Sequence, residues 1–160
     1  LFITPQISHG YWTTSQHAIK IGDNNVLYLV QYKFGLNSQS VDLPIGAVRT
    51  MATGSITSPY VNYGFVEDGE TIYTGGTAAA LVISDAEIKN NQYHLKAGQS
   101  GTFTLLTLLT LTPEELVDNP DLALQVTHLP FIRTTDTGNV YTDQLNISEL
   151  SNYVTPEVDM

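Results

Sequence analysis

The chain has 160 residues, of which 42% are hydrophobic and 14% charged, and 16 acidic against 6 basic side chains give a net charge of −10. This length and apolar content suit one domain with a packed core. The acidic balance argues against nucleic-acid binding and against docking on anionic lipid, because no basic surface exists to neutralise phosphates. The absence of Cys excludes disulfides, thiolate nucleophiles and Cys-based zinc sites.

The start of the chain is predicted to form an N-terminal extension over residues 1–15, which could act as an intersubunit strand on a neighbouring copy. A strand is expected at Gln16–Ile21. A clear period of two follows at Val26–Leu36, where six apolar or aromatic side chains occupy alternate positions. Leu27 and Leu29 make the first half of this strand apolar on its opposite face as well. We therefore expect that half to lie under a neighbouring loop or module.

Shorter strand candidates separated by turn signals fill the middle of the chain. Asp68-Gly69 is a hairpin signal, and Gly75-Gly76 marks another turn. Pro44 interrupts one segment, so it should lie at an edge or a bulge. The candidates are residues 41–43, 46–51, 60–66, 71–73, 77–83 and 92–96.

Two more long strands are predicted, at Thr102–Leu111 and Leu122–Leu129. Helix signals are short. Thr112-Pro113-Glu114-Glu115 has the capping-box pattern, and residues 84–90 could form a second helical turn. Because no helix is long enough to cover a sheet, we predict an all-β fold, an antiparallel β-sandwich with one or two short helical turns. The sandwich domain should cover 16–132, followed by a polar C-terminal tail or intersubunit contact segment over 133–160.

The order of these elements resembles a known family. The long alternating strand is followed by Val41-Asp42-Leu43-Pro44 and a Gly-rich middle. The turn Ala97-Gly98-Gln99-Ser100 then precedes a strand of alternating Phe, Thr and Leu, and a closing strand follows at 124–129. This order is similar to immunoglobulin-like β-sandwich modules of bacterial cell-surface, S-layer and filament proteins, over roughly residues 16–132. The resemblance implies an immunoglobulin-like β-sandwich with a structural or adhesive role, and it supplies no catalytic residues.

Oxygen-bearing side chains that suit calcium cluster in three predicted loops. Ca²⁺ takes oxygen ligands from carboxylates, amides and backbone carbonyls. The candidate metal ligands are Asp136, Asn139 and Asp143, which lack the spacing of an EF-hand, and the other two clusters cover 23–25 and 118–121. Asp and Asn are also ordinary turn formers, so a purely structural role stays open. No other cofactor is expected.

Aromatic side chains provide the candidate ligand-binding residues, Tyr11 and Trp12. Exposed rings of this kind stack on sugars in carbohydrate-binding modules. Tyr60, Tyr63 and Tyr73 could extend such a platform. The alternative is that Tyr63 and Tyr73, together with Phe65, pack in the core and that Tyr11 and Trp12 anchor the N-terminal segment.

No group of residues predicts catalysis. His94 and His128 fall in predicted strands and could meet across a sheet, but none of the His residues has the spacing of a helical metal motif. Ser8-His9 lacks a Gly-x-Ser-x-Gly pattern and an oxyanion-hole loop. We therefore expect no enzyme.

Together these features predict a non-enzymatic structural module, a subunit or domain of a surface layer or filament. Its expected partners are copies of itself or neighbouring modules, with neither nucleic acid nor direct membrane insertion. The Cys-free, Thr-rich and charge-poor composition favours an extracellular or cell-surface location. The alternatives are a carbohydrate- or host-ligand-binding module, for which a glycan is the partner, and a virion coat or decoration protein.

Overall fold

The computed structural model describes residues 9–36, 38–50, 59–146 and 150–160, without the side chains of residues 9–14 and 146. The chain folds into two β-sheets packed on one core, so the predicted all-β sandwich is confirmed. The strands are β1 His9–Lys20, β2 Asn25–Leu36, β3 Ser40–Pro44, β4 Ala47–Arg49, β5 Val61–Glu67, β6 Thr71–Tyr73, β7 Thr77–Ser84, β8 Glu87–Lys89, β9 Gln92–Leu95, β10 Ser100–Thr110, β11 Asp121–Thr134, β12 Val140–Asn146 and β13 Val158–Asp159.

Sheet A contains four strands in the order β1-β2-β10-β7, and each neighbouring pair is antiparallel. β2 alternates between half-buried and fully buried positions along its whole length. Successive side chains of a strand point to opposite sides of the sheet, so the period of two in the sequence places one row in the core and one row outside.

Sheet B has the order β4-β5-β11-β3-β9-β8, with β6 on β5 and with β12 and β13 on β11. The β4–β5 pair is parallel and the other described pairs are antiparallel. Pro44 ends β3, after which the chain crosses to β4 on the far side of β5 and β11. Pro44 thus lies at the end of β3, opposite Gln92 of β9, and the expected edge strand or bulge is not found there.

Aromatic side chains join the two sheets across the core. The ring centroids of Tyr28 and Phe65 lie 5.5 Å apart, and those of Phe34 and Phe131 lie 4.9 Å apart. The hydroxyl of Tyr28 also donates a hydrogen bond to the carbonyl of Leu122 at 2.8 Å. Such aromatic pairs contribute about 0.5–1.5 kcal/mol each beyond the burial of their area.

The two ends of the chain differ from the expected organisation. Of the predicted extension over 1–15, residues 9–15 belong to β1 and pair with β2 of the same chain, and residues 1–8 lie outside the described residues. The segment over 133–160 contributes β12, β13 and the buried side chains of Leu150, Tyr153 and Met160. Its described part is thus integral to the sandwich, because these side chains complete the core and β11 itself continues to Thr134.

The predicted helical turns are not confirmed, since the described residues contain no helix. The capping box itself is present. The N–H of Glu115 donates to Thr112 Oγ1 at 3.3 Å, and the N–H of Thr112 donates to Glu115 Oε1 at 2.8 Å, around a single turn of chain. Over 84–90 the helical prediction is wrong. Asn90 and Asn91 have φ angles of 55° and 61°, which suit the tight hairpin that joins β8 to β9.

Candidate interaction surface

Part of the side of sheet A that faces away from the core is apolar, and polar residues that include His17 surround this part. Its members alternate with the buried core residues of β2 and β10 and lie beside each other in the registers of the four strands. We call this surface the apolar outer face, and it consists of Ile19, Leu27, Leu29, Ala79, Leu81, Ile83, Leu106 and Leu108. Leu27 and Leu29 lie on this outer side, and the register shows that the apolar surface crosses all four strands. That a neighbouring loop or module covers them stays a prediction.

Several of these side chains are exposed to a degree that is unusual for their type. Ile19 is 52% exposed, Leu81 48%, Ile83 49% and Leu108 37%. Single exposed apolar residues are common on proteins, but a contiguous group is typical of an interaction site. The apolar outer face is therefore the strongest candidate for a functional surface in this fold.

Polar side chains border the apolar outer face at both ends of the strands. At one end Ser15 Oγ donates to Gln31 Oε1 at 3.4 Å, and Gln31 Nε2 donates to Thr104 Oγ1 at 3.4 Å. At the other end the register aligns Asn25, Thr110 and Thr77. An apolar centre with a polar rim is the usual anatomy of a protein–protein interface.

Charge is distributed unevenly between the two sheets. None of the 16 Asp and Glu residues lies in the strands of sheet A, which carry Lys20 and Lys33. Carboxylates lie instead in strands of sheet B, at Asp42, Glu67, Glu87, Asp121, Asp143 and Asp159, and in the loops. The apolar outer face is thus free of acidic side chains in a chain whose net charge is −10.

β7 is an edge strand of sheet A and lacks the features that usually protect such edges. Thr77–Ser84 contains no charged residue and no Pro, and its register with β10 has no bulge. In contrast, β1 is interrupted by a register shift between Thr13 and Ser15, and β8 carries Glu87 and Lys89. Charges and bulges on edge strands prevent unwanted pairing, so β7 leaves sheet A open to neighbours along one side.

The predicted calcium ligands lie on the hairpin between β11 and β12. Asp136 and Asn139 belong to its turn, where the N–H of Asn139 donates to Thr135 Oγ1 at 3.0 Å. Asp143 lies farther along β12, opposite Phe131 in the register. Arg133 Nε donates to Asp143 Oδ2, so a cation already occupies one side of this carboxylate.

In the described part of the chain, no three His, Asp or Glu side chains converge closely enough to hold a metal ion. A calcium site at Asp136, Asn139 and Asp143 would therefore depend on amide, hydroxyl and carbonyl oxygens for most of its ligands. Calcium binding at this hairpin stays a prediction.

The predicted sugar-stacking residues are placed only in part. Tyr11 and Trp12 lie in β1, where they pair with Phe34 and Lys33, but their side chains are outside the described residues. Of the other rings, Tyr63 is buried in the core and Tyr60 is about half exposed. A glycan platform at Tyr11 and Trp12 stays a prediction.

The two strand His residues do not meet, since β3 lies between β9 and β11. His94 Nδ1 instead lies 2.7 Å from Asp42 Oδ1 on the neighbouring strand. This pair joins two strands on the outer side of sheet B.

A buried polar pair on sheet B is not apparent from the sequence. His128 is 1% exposed and Asn62 4%, and they oppose each other in the register of β11 and β5. Among the described residues, neither ring nitrogen of His128 has a hydrogen-bond partner, and neither does Asn62 Oδ1. Simple alternation places His128 on the same face as Val126. A bulge between them shifts the register and puts His128 on the opposite face.

Comparisons with known proteins do not identify the chain: no protein-family model matches it, and a search among curated proteins finds no match. Within the described ranges, no helix has the length and apolar content needed to cross a membrane. The function is therefore inferred from the surface of the sandwich.

Proposed function

We propose that this chain is a non-enzymatic, immunoglobulin-like β-sandwich module that packs against a neighbouring module or copy through the apolar outer face. The observation that supports this most strongly is the exposure of Ile19, Leu81, Ile83 and Leu108 on one continuous sheet surface. Covering such a surface contributes about 25 cal/mol for each Å² of apolar area removed from water. A neighbour that covers it gains this free energy, reduced by the cost of the translational, rotational and side-chain freedom lost on association.

The proposed location is outside the cell, in a surface layer or filament. The support is compositional: the chain has no Cys, is rich in Thr and has few charges. The organisation of the fold agrees with a structural role, because the two sheets enclose one continuous core, to which 27 of the described residues contribute. A module with one continuous core can hold its neighbours in a fixed arrangement.

The experiment compares assembly of the purified chain with that of two variants, using light scattering and negative-stain electron microscopy with and without Ca²⁺. The wild-type chain should form ordered assemblies as its concentration rises. Leu81→Lys should abolish them, because the new ammonium group would be buried without a partner at the contact. The matched control is Val140→Lys, at a position that is 63% exposed on β12.

Circular dichroism and thermal denaturation establish that both variants remain folded. The control should assemble like the wild-type chain. Assembly of Leu81→Lys at the wild-type concentration would contradict the proposal. Assembly that needs Ca²⁺ in the wild-type chain and fails in Asp136→Asn even with Ca²⁺ present would support the predicted calcium site.

A further inference from the structure

We propose that the neighbour on the apolar outer face is a second copy of this chain, packed face to face on the same surface. This inference rests on the proposed function and names the partner. It is an isologous contact, in which each copy offers the same residues to the other.

The distribution of charge favours a second copy on sheet A. Two copies that each carry a net charge of −10 repel each other wherever their carboxylates approach. Contacts through sheet B would bring together strands that carry acidic residues, among them Glu67, Asp121 and Asp159. Asp121 and Asp159 already oppose each other in the register of β11 and β13 within one copy. Desolvation raises the pKa of Asp121, and the charges of Asp159 and Asp68 raise it further. Sheet A has no acidic residue in its strands, and only the adjoining loops carry carboxylates, among them Asp23 and Asp85, so a contact through its centre meets less of this repulsion.

The thickness of the sandwich separates the two acidic sheets in such a pair. Packed sheets lie about 10 Å apart, so the outward-facing carboxylates of sheet B stand farther than that from a contact plane on sheet A. The Debye length is about 8 Å at physiological ionic strength. In a face-to-face pair, salt therefore screens most of the repulsion between the two acidic sheets. A basic partner, in contrast, would be attracted to sheet B and would leave the apolar outer face uncovered.

The area of the apolar outer face suits a weak pair. The apolar outer face and its polar rim together span four strands about 4.8 Å apart and four outward rows about 6.7 Å apart, which is roughly 500 Å² on each copy, and the eight apolar residues make up about half of it. Pairing two copies would bury about 1,000 Å² in total, which is the lower limit for a specific protein–protein contact. The pair should therefore be weak and reversible, as suits a contact that is repeated many times in an assembly.

The register locates the centre of the apolar outer face on the two central strands. Leu29 and Leu106 are paired neighbours on the two central strands, and Leu27 and Leu108 are the next pair. In a symmetric face-to-face pair, residues near the two-fold axis contact their own counterparts. The centre of this surface, at Leu106, should therefore lie close to Leu106 of the other copy.

The test uses the absence of Cys in the chain, which makes single engineered thiols unambiguous. Leu106→Cys and the control Val140→Cys are treated with a short bis-maleimide at micromolar protein concentration. In a docked pair the two thiols have an effective concentration in the millimolar range. Leu106→Cys should then form covalent dimers about a hundredfold faster than Val140→Cys. Adding Leu81→Lys to Leu106→Cys should remove this advantage.

Three results are possible, and they separate this inference from the proposed function. Fast cross-linking that Leu81→Lys abolishes supports a second copy on the apolar outer face. Equal, slow cross-linking of both thiols overturns the face-to-face pair, while assembly of the purified chain that still depends on Leu81 means that the apolar outer face contacts a different surface of another copy. If both thiols cross-link at the same rate and Leu81→Lys assembles like the wild-type chain, both the face-to-face pair and the proposed function are overturned.

Discussion

Two Tyr residues on β2 provide a matched test of the packing described for the core. Tyr28 and Tyr32 are both fully buried, and burial raises the pKa of both hydroxyls, so both are neutral. The hydroxyl of Tyr28 donates to the carbonyl of Leu122 at 2.8 Å. The hydroxyl of Tyr32 has no hydrogen-bond partner in the described part of the chain. Replacing each with Phe removes the same atom from the same residue type on the same strand.

The expected effects have opposite signs. Tyr28→Phe removes a buried hydrogen bond, which costs about 1 kcal/mol of folding stability. Tyr32→Phe removes a buried hydroxyl that loses its water on folding and gains no partner among the described residues, so it should increase stability by about 1 kcal/mol. For a domain of this size, each kcal/mol shifts the Tm by about 2–4 °C. Tyr32→Phe should therefore melt roughly 6 °C above Tyr28→Phe.

The assay is reversible unfolding in urea together with thermal denaturation, on both variants and the wild-type chain. Equal dependence of the unfolding free energy on urea concentration shows that the substitutions change stability and leave the compactness of the unfolded chain unaltered. If Tyr32→Phe is destabilised as much as Tyr28→Phe, the Tyr32 hydroxyl has a partner in solution, such as a buried water, and this description of the core is wrong.

Two further predictions concern carboxylates. The N–H groups of Thr112 and Gly76 donate to Glu115 and lower its pKa, so Glu115→Gln should lower stability at pH 7. The stabilisation by ionised Glu115 is present above the unfolded pKa of about 4.3 and is lost as the pH falls through the lower folded pKa. The difference in urea midpoint between the wild-type chain and Glu115→Gln should therefore shrink in acid. A difference that is the same at pH 3 as at pH 7 would contradict this. Desolvation and the nearby Asp159 raise the pKa of Asp121, which makes the ionised form unfavourable. Asp121→Asn should raise the Tm at pH 7. It should leave the Tm unchanged at about pH 2–3, because the carboxyl is then protonated in both the folded and the unfolded chain. A lower Tm at pH 7 would refute this.

Much of sheet A could be predicted from the sequence because its strands alternate strictly. In β2 and β10 each residue faces either the core or the outer side, so the period of two identifies both the strand and its buried row. Leu27 and Leu29 break the polar pattern expected on a solvated face, and this local signal is enough to indicate an apolar outer surface on β2. The sequence of β2 alone does not say which strands pair with it or in which register. The extent of the apolar outer face depends on this pairing and could not be predicted.

The end of β11 and the strands that follow could not be predicted in this way. Pro130 suggests the end of a strand, yet β11 continues to Thr134. β3 pairs with β11 only from Ile132 onward, so position 130 has no ladder partner on that side. β12 and β13 lack an alternating apolar row, and their place is set by pairing with β11. The bulge before His128 depends on the partner strand in the same way.

Burial of the apolar outer face on assembly can be measured directly, as the solvent accessibility of individual side chains in dilute and in assembled protein. Hydroxyl-radical footprinting read out by mass spectrometry reports this for Leu and Ile side chains. We predict that labelling of Ile19, Leu81 and Leu108 falls on assembly while labelling of Ile88 and Val140 is unchanged. Constant labelling of the first three residues in an assembled sample would contradict the claim, because the apolar outer face would then still be open to water.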